Sequence, residues 1–237
     1  NPESHHAGYS NEELVARVRG PLVSQLQAVF LADRYGETRS NVDGPDIFPL
    51  HQAEGQADAQ LVPSGPGYHR ENTLLLILAL LGAAKERVTI TTPYLIPDEP
   101  LIRAMQSAVI RGVDVRVIVP RTLDQLFMSF AQKSFYGDLL EAGVRIHLYE
   151  PAFLHAKHIS VDDEISLIGS SNVDIRSFAL NAEISGIFYD REITATLRKI
   201  QERYLTHSVE LKKEDWDRRL IHHKVFQNIA RLADSIL

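Results

Sequence analysis

His155 and Lys157 stand two apart, Asp162 follows, and Gly169, Ser170 and Asn172 close the most chemically loaded stretch of the chain. An imidazole titrates near neutral pH, so it can attack phosphorus or protonate a leaving alkoxide. An ammonium grips an anionic oxygen as a point charge, and hydroxyl and amide groups donate to the other non-bridging oxygens. In comparable oxyanion sites each well-aimed donor is worth roughly 10²- to 10³-fold in rate. The set suits transfer at a phosphodiester, and the scheme calls for no metal or other cofactor.

These groups must be positioned by strands. Residues 155–161 alternate so that His155, Lys157, Ile159 and Val161 share one face, which starts imidazole and ammonium on the same side. Residues 162–164 read as a turn and 165–168 as the returning strand. With a two-residue loop at Asp163 and Glu164, Asp162 pairs with Ile165, Ser170 falls opposite Lys157, and Asn172 opposite His155. A slip of one residue would turn Ser170 and Asn172 to the other face.

Elsewhere, 88–92 and 113–119 read as strands around a helix over 99–111, a parallel unit with a crossover helix. Thr92, Pro93 and Tyr94 then sit past a strand's carboxyl end, where open α/β sheets place ligand loops, and Tyr94 is a candidate pocket-lining residue. The apolar run 74–84 is too short to span a bilayer and reads as a buried helix. Residues 13–21 read as a strand stopped by Gly20 and Pro21, followed by a helix on Leu22, Leu26, Val29 and Phe30. Pro, Gly, Asp, Gln and Ser in 41–67 mark a linker or surface loop. From residue 220 onward Ile221, Val225, Ile229, Leu232 and Ile236 form the apolar stripe of a helix, which either docks on its own domain or lies on anionic lipid.

With 237 residues and 44% apolar content, the chain can bury a full core as one large or two small domains. The lack of cysteine excludes disulfide stapling and thiol chemistry. A net charge of −6 argues against a nucleic-acid partner, although 198–237 carry nine Lys or Arg against six Asp or Glu. The adjacent pairs His5-His6 and His222-His223 lack the spacing of a preorganised metal site.

The spaced residues resemble the HxKxxxxDxxxxxxGSxN signature of the phospholipase D superfamily, with every specified letter present. Segments 92–98, 111–120, 140–146, 172–177 and 180–183 are similar to successive landmarks of bacterial cardiolipin synthases, covering most of 64–190. The resemblance implies an α/β fold, a phospholipase D-like α/β/α sandwich with a mixed, largely parallel central sheet. It also implies a phosphatidyltransferase forming cardiolipin and glycerol from two phosphatidylglycerol molecules through a phosphohistidine, with the motif histidine attacking or protonating. His155, Lys157, Asp162 and Glu183 become the catalytic set, and Ser170 and Asn172 join Lys157 on the phosphate. Glu183, in an Asn-x-Glu context, is the residue expected to orient the imidazole. The alternatives are a nuclease or phospholipid hydrolase of the same superfamily, or a non-catalytic half-site that binds membranes.

Members of that superfamily build one centre from two motif copies, and this chain has one. His222-His223-Lys224 lacks the spaced aspartate and the Gly-Ser. Either two chains pair, or a first copy precedes residue 1, as the initial Asn1 in place of Met and the strand-helix reading of 1–40 favour. The expected organisation is 1–40 from the preceding repeat, 41–67 as linker, and 68–237 as a second phospholipase D-like domain ending in a helix over 218–237. Expected partners are phosphatidylglycerol, an anionic membrane surface, and either the half carrying the first motif or a second copy of the chain. The expected location is the bacterial cell membrane, peripheral on the cytoplasmic side or anchored by upstream segments.

Overall fold

The computed structural model describes residues 10–44, 46–49, 52–53, 55–68 and 71–218. Both histidine pairs lie outside the described residues, as does the helix expected over 218–237 beyond Arg218.

In chain order, β1 (Asn11–Glu12), α1 (Leu22–Thr38) and β2 (Asp58–Ser64) lead into α2 (Asn72–Ala83), the apolar run, which buries Leu74, Ile77, Leu80 and Leu81. Each such side chain withdrawn from water contributes roughly 1.5–3 kcal/mol. Next come β3 (Arg87–Thr91), β4 (Leu95–Ile96), α3 (Glu99–Ile110) and β5 (Asp114–Pro120), with β3 and β5 parallel as the alternating pattern predicts. Asp98 starts α3 by accepting the Leu101 N–H at 3.0 Å, and Pro100 occupies the first turn, where no amide donor is needed. A second crossover through α4 (Leu126–Glu141) brings β6 (Arg145–Tyr149) parallel to β5.

The motif occupies β7 (Phe153–Leu154), β8 (His158–Val161), β9 (Ile165–Gly169) and β10 (Val173–Asp174). A single π-type turn over Arg176–Leu180 follows. The described chain ends with β11 (Glu183–Tyr189), α5 (Arg191–Thr206), β12 (Ser208–Leu211) and α6 (Lys213–Asp217).

Eight of these strands form one sheet in the order β12-β6-β5-β3-β8-β9-β11-β2. The α/β class and the mixed sheet match expectation, but the sheet is not largely parallel. Only β3 with β5 and β5 with β6 are parallel; the other neighbours are antiparallel. Parallel pairing is confined to β3, β5 and β6, which α3 and α4 join, while β8 and β9 form a hairpin and α2 and α5 cross between strands that are not neighbours. On one face α2, α3 and α4 pack on Val88, Ile90, Val117 and Ile159; on the other, Tyr204 of α5 packs with Ile118, Tyr149 and Ala156.

Beneath α5 the sheet is partly polar. Ser160 donates to Gln201 at 2.6 Å, the Ser166 and Thr194 hydroxyls meet at 2.7 Å, and the Gln201 amide donates to the Thr89 carbonyl and to His158 Nδ1, each at 3.2 Å. His158 is fully enclosed, stacked on Tyr204, and burial pushes its pKa down to about 3.

Two readings of the N-terminal third need correction. Residues 41–67 are not all loop, because β2 pairs antiparallel with β11 from Ser64 opposite Glu183 to Asp58 opposite Tyr189. As an edge strand it tolerates Pro63, which has no N–H to give. In 13–21 the expected strand is absent; pairing is confined to β1, which lies parallel to β7 and is tied to α5 by Arg203 and Glu12 at 2.8 Å. Among the described residues no helix is long and apolar enough to cross a membrane.

Candidate active site

His155 and Lys157 occupy the gap between β7 and β8, not a continuous strand. The gap is pinned on both sides: the His155 N–H donates to the Glu12 carbonyl at 2.8 Å, and the Gly169 N–H to the Lys157 carbonyl at 3.2 Å. The Lys157 ammonium donates to the His155 carbonyl at 2.8 Å and meets ring Nε2 at 3.1 Å, while Nδ1 meets Glu13 Oε1 at 3.2 Å. A carboxylate accepting at Nδ1 and an ammonium donating at Nε2 assign a neutral imidazole with its lone pair on Nε2. Burial and then Lys157 lower the pKa of His155, against an opposing pull from Glu13 and Asp124. Burial also lowers Lys157 to about 8, with Glu13, Glu183 and Asp174 resisting, so the ammonium persists at neutral pH.

The hairpin register differs by one residue from the expected one. Val161 pairs with Ile165 and His158 with Ile168, leaving a three-residue turn and setting Lys157 opposite Gly169, not Ser170. Asp162 opens that turn at φ 50°, a left-handed conformation that Asp tolerates. Its carboxylate accepts the backbone N–H groups of Lys85, Glu86 and Arg87 at 3.1, 2.8 and 2.9 Å. Burial raises its pKa, but those three donors outweigh burial and hold it below the usual carboxylate value. Asp162 therefore anchors the hairpin to the start of β3, and its carboxylate is bonded there and not to His155 or Lys157.

Gly169 is required by close approach. A Cβ there would lie 2.3 Å from Ser185 Oγ and 2.7 Å from the Ile184 carbonyl. Past it the chain follows β11: the Ser170 N–H donates to the Ile184 carbonyl at 3.0 Å, and its hydroxyl accepts the Ile184 N–H at 3.0 Å while donating to the Glu183 carboxylate. The Ser170 hydroxyl thus donates to Glu183. Glu183 in turn does not hold His155; that carboxylate is Glu13, 142 positions away in the sequence. Among the described residues the side-chain carbonyl of Asn172 is buried without a partner and bonds neither His155 nor Lys157.

Tyr94, just past the end of β3, lies one aromatic ring away from His155. Thr92 Oγ1 donates to the Tyr94 carbonyl at 2.7 Å and accepts the Val173 N–H at 3.2 Å, stitching this loop to the end of the motif where β10 pairs with β4. The Tyr94 hydroxyl donates to Asp124 at 2.7 Å. Its ring lies 6.2 Å from Phe153, which stacks 5.7 Å from the His155 ring. Glu13, Asp124 and Phe153 escaped sequence reasoning because each is an ordinary residue in a segment with no local pattern. Only the loop after β3 carried a signal.

A mixed sheet covered by helices on both faces, with a half-buried histidine and lysine where two motif strands break, is the architecture of a phospholipase D-like domain. The fold is similar to Nuc, a phospholipase D family member from Salmonella typhimurium (TM-score 0.56, 18% identity, 66% of this chain and 99% of that one). It is also similar to phosphatidylserine synthase of Haemophilus influenzae (TM-score 0.60, 18% identity, 76% of this chain and 46% of that one). Residues 77–205, more than half of the chain, match the family described as cardiolipin synthase, PLD-like domain, and the chain belongs to that family. It is 35% identical over 229 residues to Cardiolipin synthase A of Serratia proteamaculans and to that of Yersinia pseudotuberculosis, alignments covering 95% of this chain and 47% of each relative. The chain thus spans about half the length of the curated relatives it matches.

Proposed function

We propose that the chain supplies one histidine-lysine pair of a phosphatidyltransferase that forms cardiolipin and glycerol from two phosphatidylglycerol molecules. The supporting observation is the neutral imidazole of His155, with Nε2 at the Lys157 ammonium and Nδ1 on Glu13, in a chain 35% identical to Cardiolipin synthase A. Glu13 fixes the tautomer so that Nε2 carries the lone pair. When the phosphodiester arrives, Lys157 moves its contact from the ring to a non-bridging oxygen. Nε2 forms the P–N bond as the P–O bond to glycerol breaks, and the glycerol alkoxide takes a proton from the imidazole of a second motif. A hydroxyl of a second phosphatidylglycerol returns a proton to that imidazole and forms the new P–O bond as the P–N bond breaks. With the two histidines exchanged, His155 is the proton donor and the same groups complete the cycle.

The second imidazole comes from polypeptide outside this chain: a half carrying the first motif, or a second copy. The enzyme works at the bacterial membrane, peripheral on its cytoplasmic side or held there by upstream segments. A polypeptide carrying both motifs, incubated with phosphatidylglycerol vesicles and a chelator, should yield cardiolipin and glycerol in equal amounts. DNA cleavage without cardiolipin, or no lipid product at all, would overturn this reading.

A further inference from the structure

We infer that Asp124, held in place by Tyr94, is the subsite for the free hydroxyls of a polyol head group, an inference that rests on the phosphatidyltransferase reading above. Asp124 is exposed in the loop between β5 and α4; one carboxylate oxygen accepts the Tyr94 hydroxyl at 2.7 Å and the other has no partner among the described residues. Burial, followed by Asp124 itself, raises the Tyr94 pKa, so the phenol stays a donor and fixes the carboxylate. Tyr94, which holds Asp124, connects it to the reacting histidine through Phe153: the Tyr94 ring lies 6.2 Å from Phe153, and Phe153 stacks 5.7 Å from the His155 ring.

A carboxylate there cannot serve the non-bridging oxygens, because both are anionic acceptors and repel. It can accept from O–H groups, and in a phosphodiester those lie on the alcohol side. The tilted rings of Tyr94 and Phe153 supply apolar faces for the carbons of that alcohol. Aromatic faces and a carboxylate would also attract a cationic head group such as choline. The Lys157 ammonium at His155 already supplies the cation for the phosphate, and a second cation on the head group would be repelled by it across that phosphate, which favours a neutral polyol.

The test compares phosphatidylglycerol, phosphatidylethanol and phosphatidylcholine as donors for the polypeptide carrying both motifs. Asp124→Asn keeps a carbonyl acceptor for Tyr94 but removes the charge. The ratio of kcat/KM for phosphatidylglycerol to that for phosphatidylethanol should fall on the order of tenfold to a hundredfold, the loss expected for a hydrogen bond to a charged group. Tyr94→Phe, which frees the carboxylate to swing, should lower the same ratio. A ratio unchanged by Asp124→Asn, or a wild type that favours phosphatidylcholine, would overturn the subsite while leaving phosphatidyl transfer intact. A wild type that turns over none of the three donors refutes phosphatidyl transfer itself.

Discussion

Replacing Asp162 asks whether the acidic residue of the motif serves the chemistry or the fold. Three backbone N–H groups converge on its carboxylate at 2.8–3.1 Å, two at exposed positions and one, from Arg87, partly buried. In Asp162→Ala the exposed amides turn to water, while the Arg87 amide loses a charged acceptor worth about 1.5–3 kcal/mol. Alanine at φ 50° adds about 1 kcal/mol of backbone strain. The expected loss is about 3 kcal/mol, or roughly 6–12 °C in Tm for a chain of this size. Asp162→Asn keeps one carbonyl acceptor and tolerates the same backbone, so it should lose about half as much. The folded pKa of Asp162 lies below the ordinary 3.8, so its stabilisation is present above that value and vanishes as pH falls through the folded pKa. Wild type and Asp162→Ala should therefore converge in acid. Urea unfolding gives the stabilities, and turnover per folded molecule gives the chemistry. A variant within about 0.5 kcal/mol of wild type, or one stably folded yet about a thousandfold slower, would refute the anchoring role.

Two further outcomes follow from the site and the core. Glu13→Gln removes the carboxylate on His155 Nδ1 and should lower kcat about 10- to 100-fold, less than in a fully buried triad because the pair is part-exposed. Loss of that anion should also move the His155 limb of the pH-rate profile to lower pH, and a profile identical to wild type would count against Glu13. His158 has a folded pKa of about 3 against 6.5 unfolded, so between those values the unfolded chain binds more protons and stability falls with falling pH. From pH 7 to 5, wild type should lose about 2 kcal/mol more than His158→Asn in urea unfolding; equal losses would contradict this.

The crossover unit was legible because β3 and β5 alternate while α3 repeats with a period of 3.6, two signals that do not depend on distant contacts. The motif hairpin was legible as a hairpin, but its register was not. What decides the register is Asp162 in a left-handed conformation held by amides more than 70 positions away, which no local pattern reveals. β2 was hidden by Pro63 and its loop-like surroundings, and only its edge position reconciles proline with a strand. The juxtaposition of His155 and Lys157 was legible from residue type and spacing. Glu13 was not, because β1 delivers it by pairing with β7 and nothing near it in sequence points to an imidazole.

The most direct test is His155→Ala in the polypeptide carrying both motifs, with cardiolipin formation and thermal unfolding followed on the same preparation. His155 is half-exposed and its ring stacks on Phe153, so the fold should keep its Tm. Cardiolipin formation should drop at least about 10³- to 10⁴-fold. Near-normal cardiolipin formation by the folded variant would contradict the account.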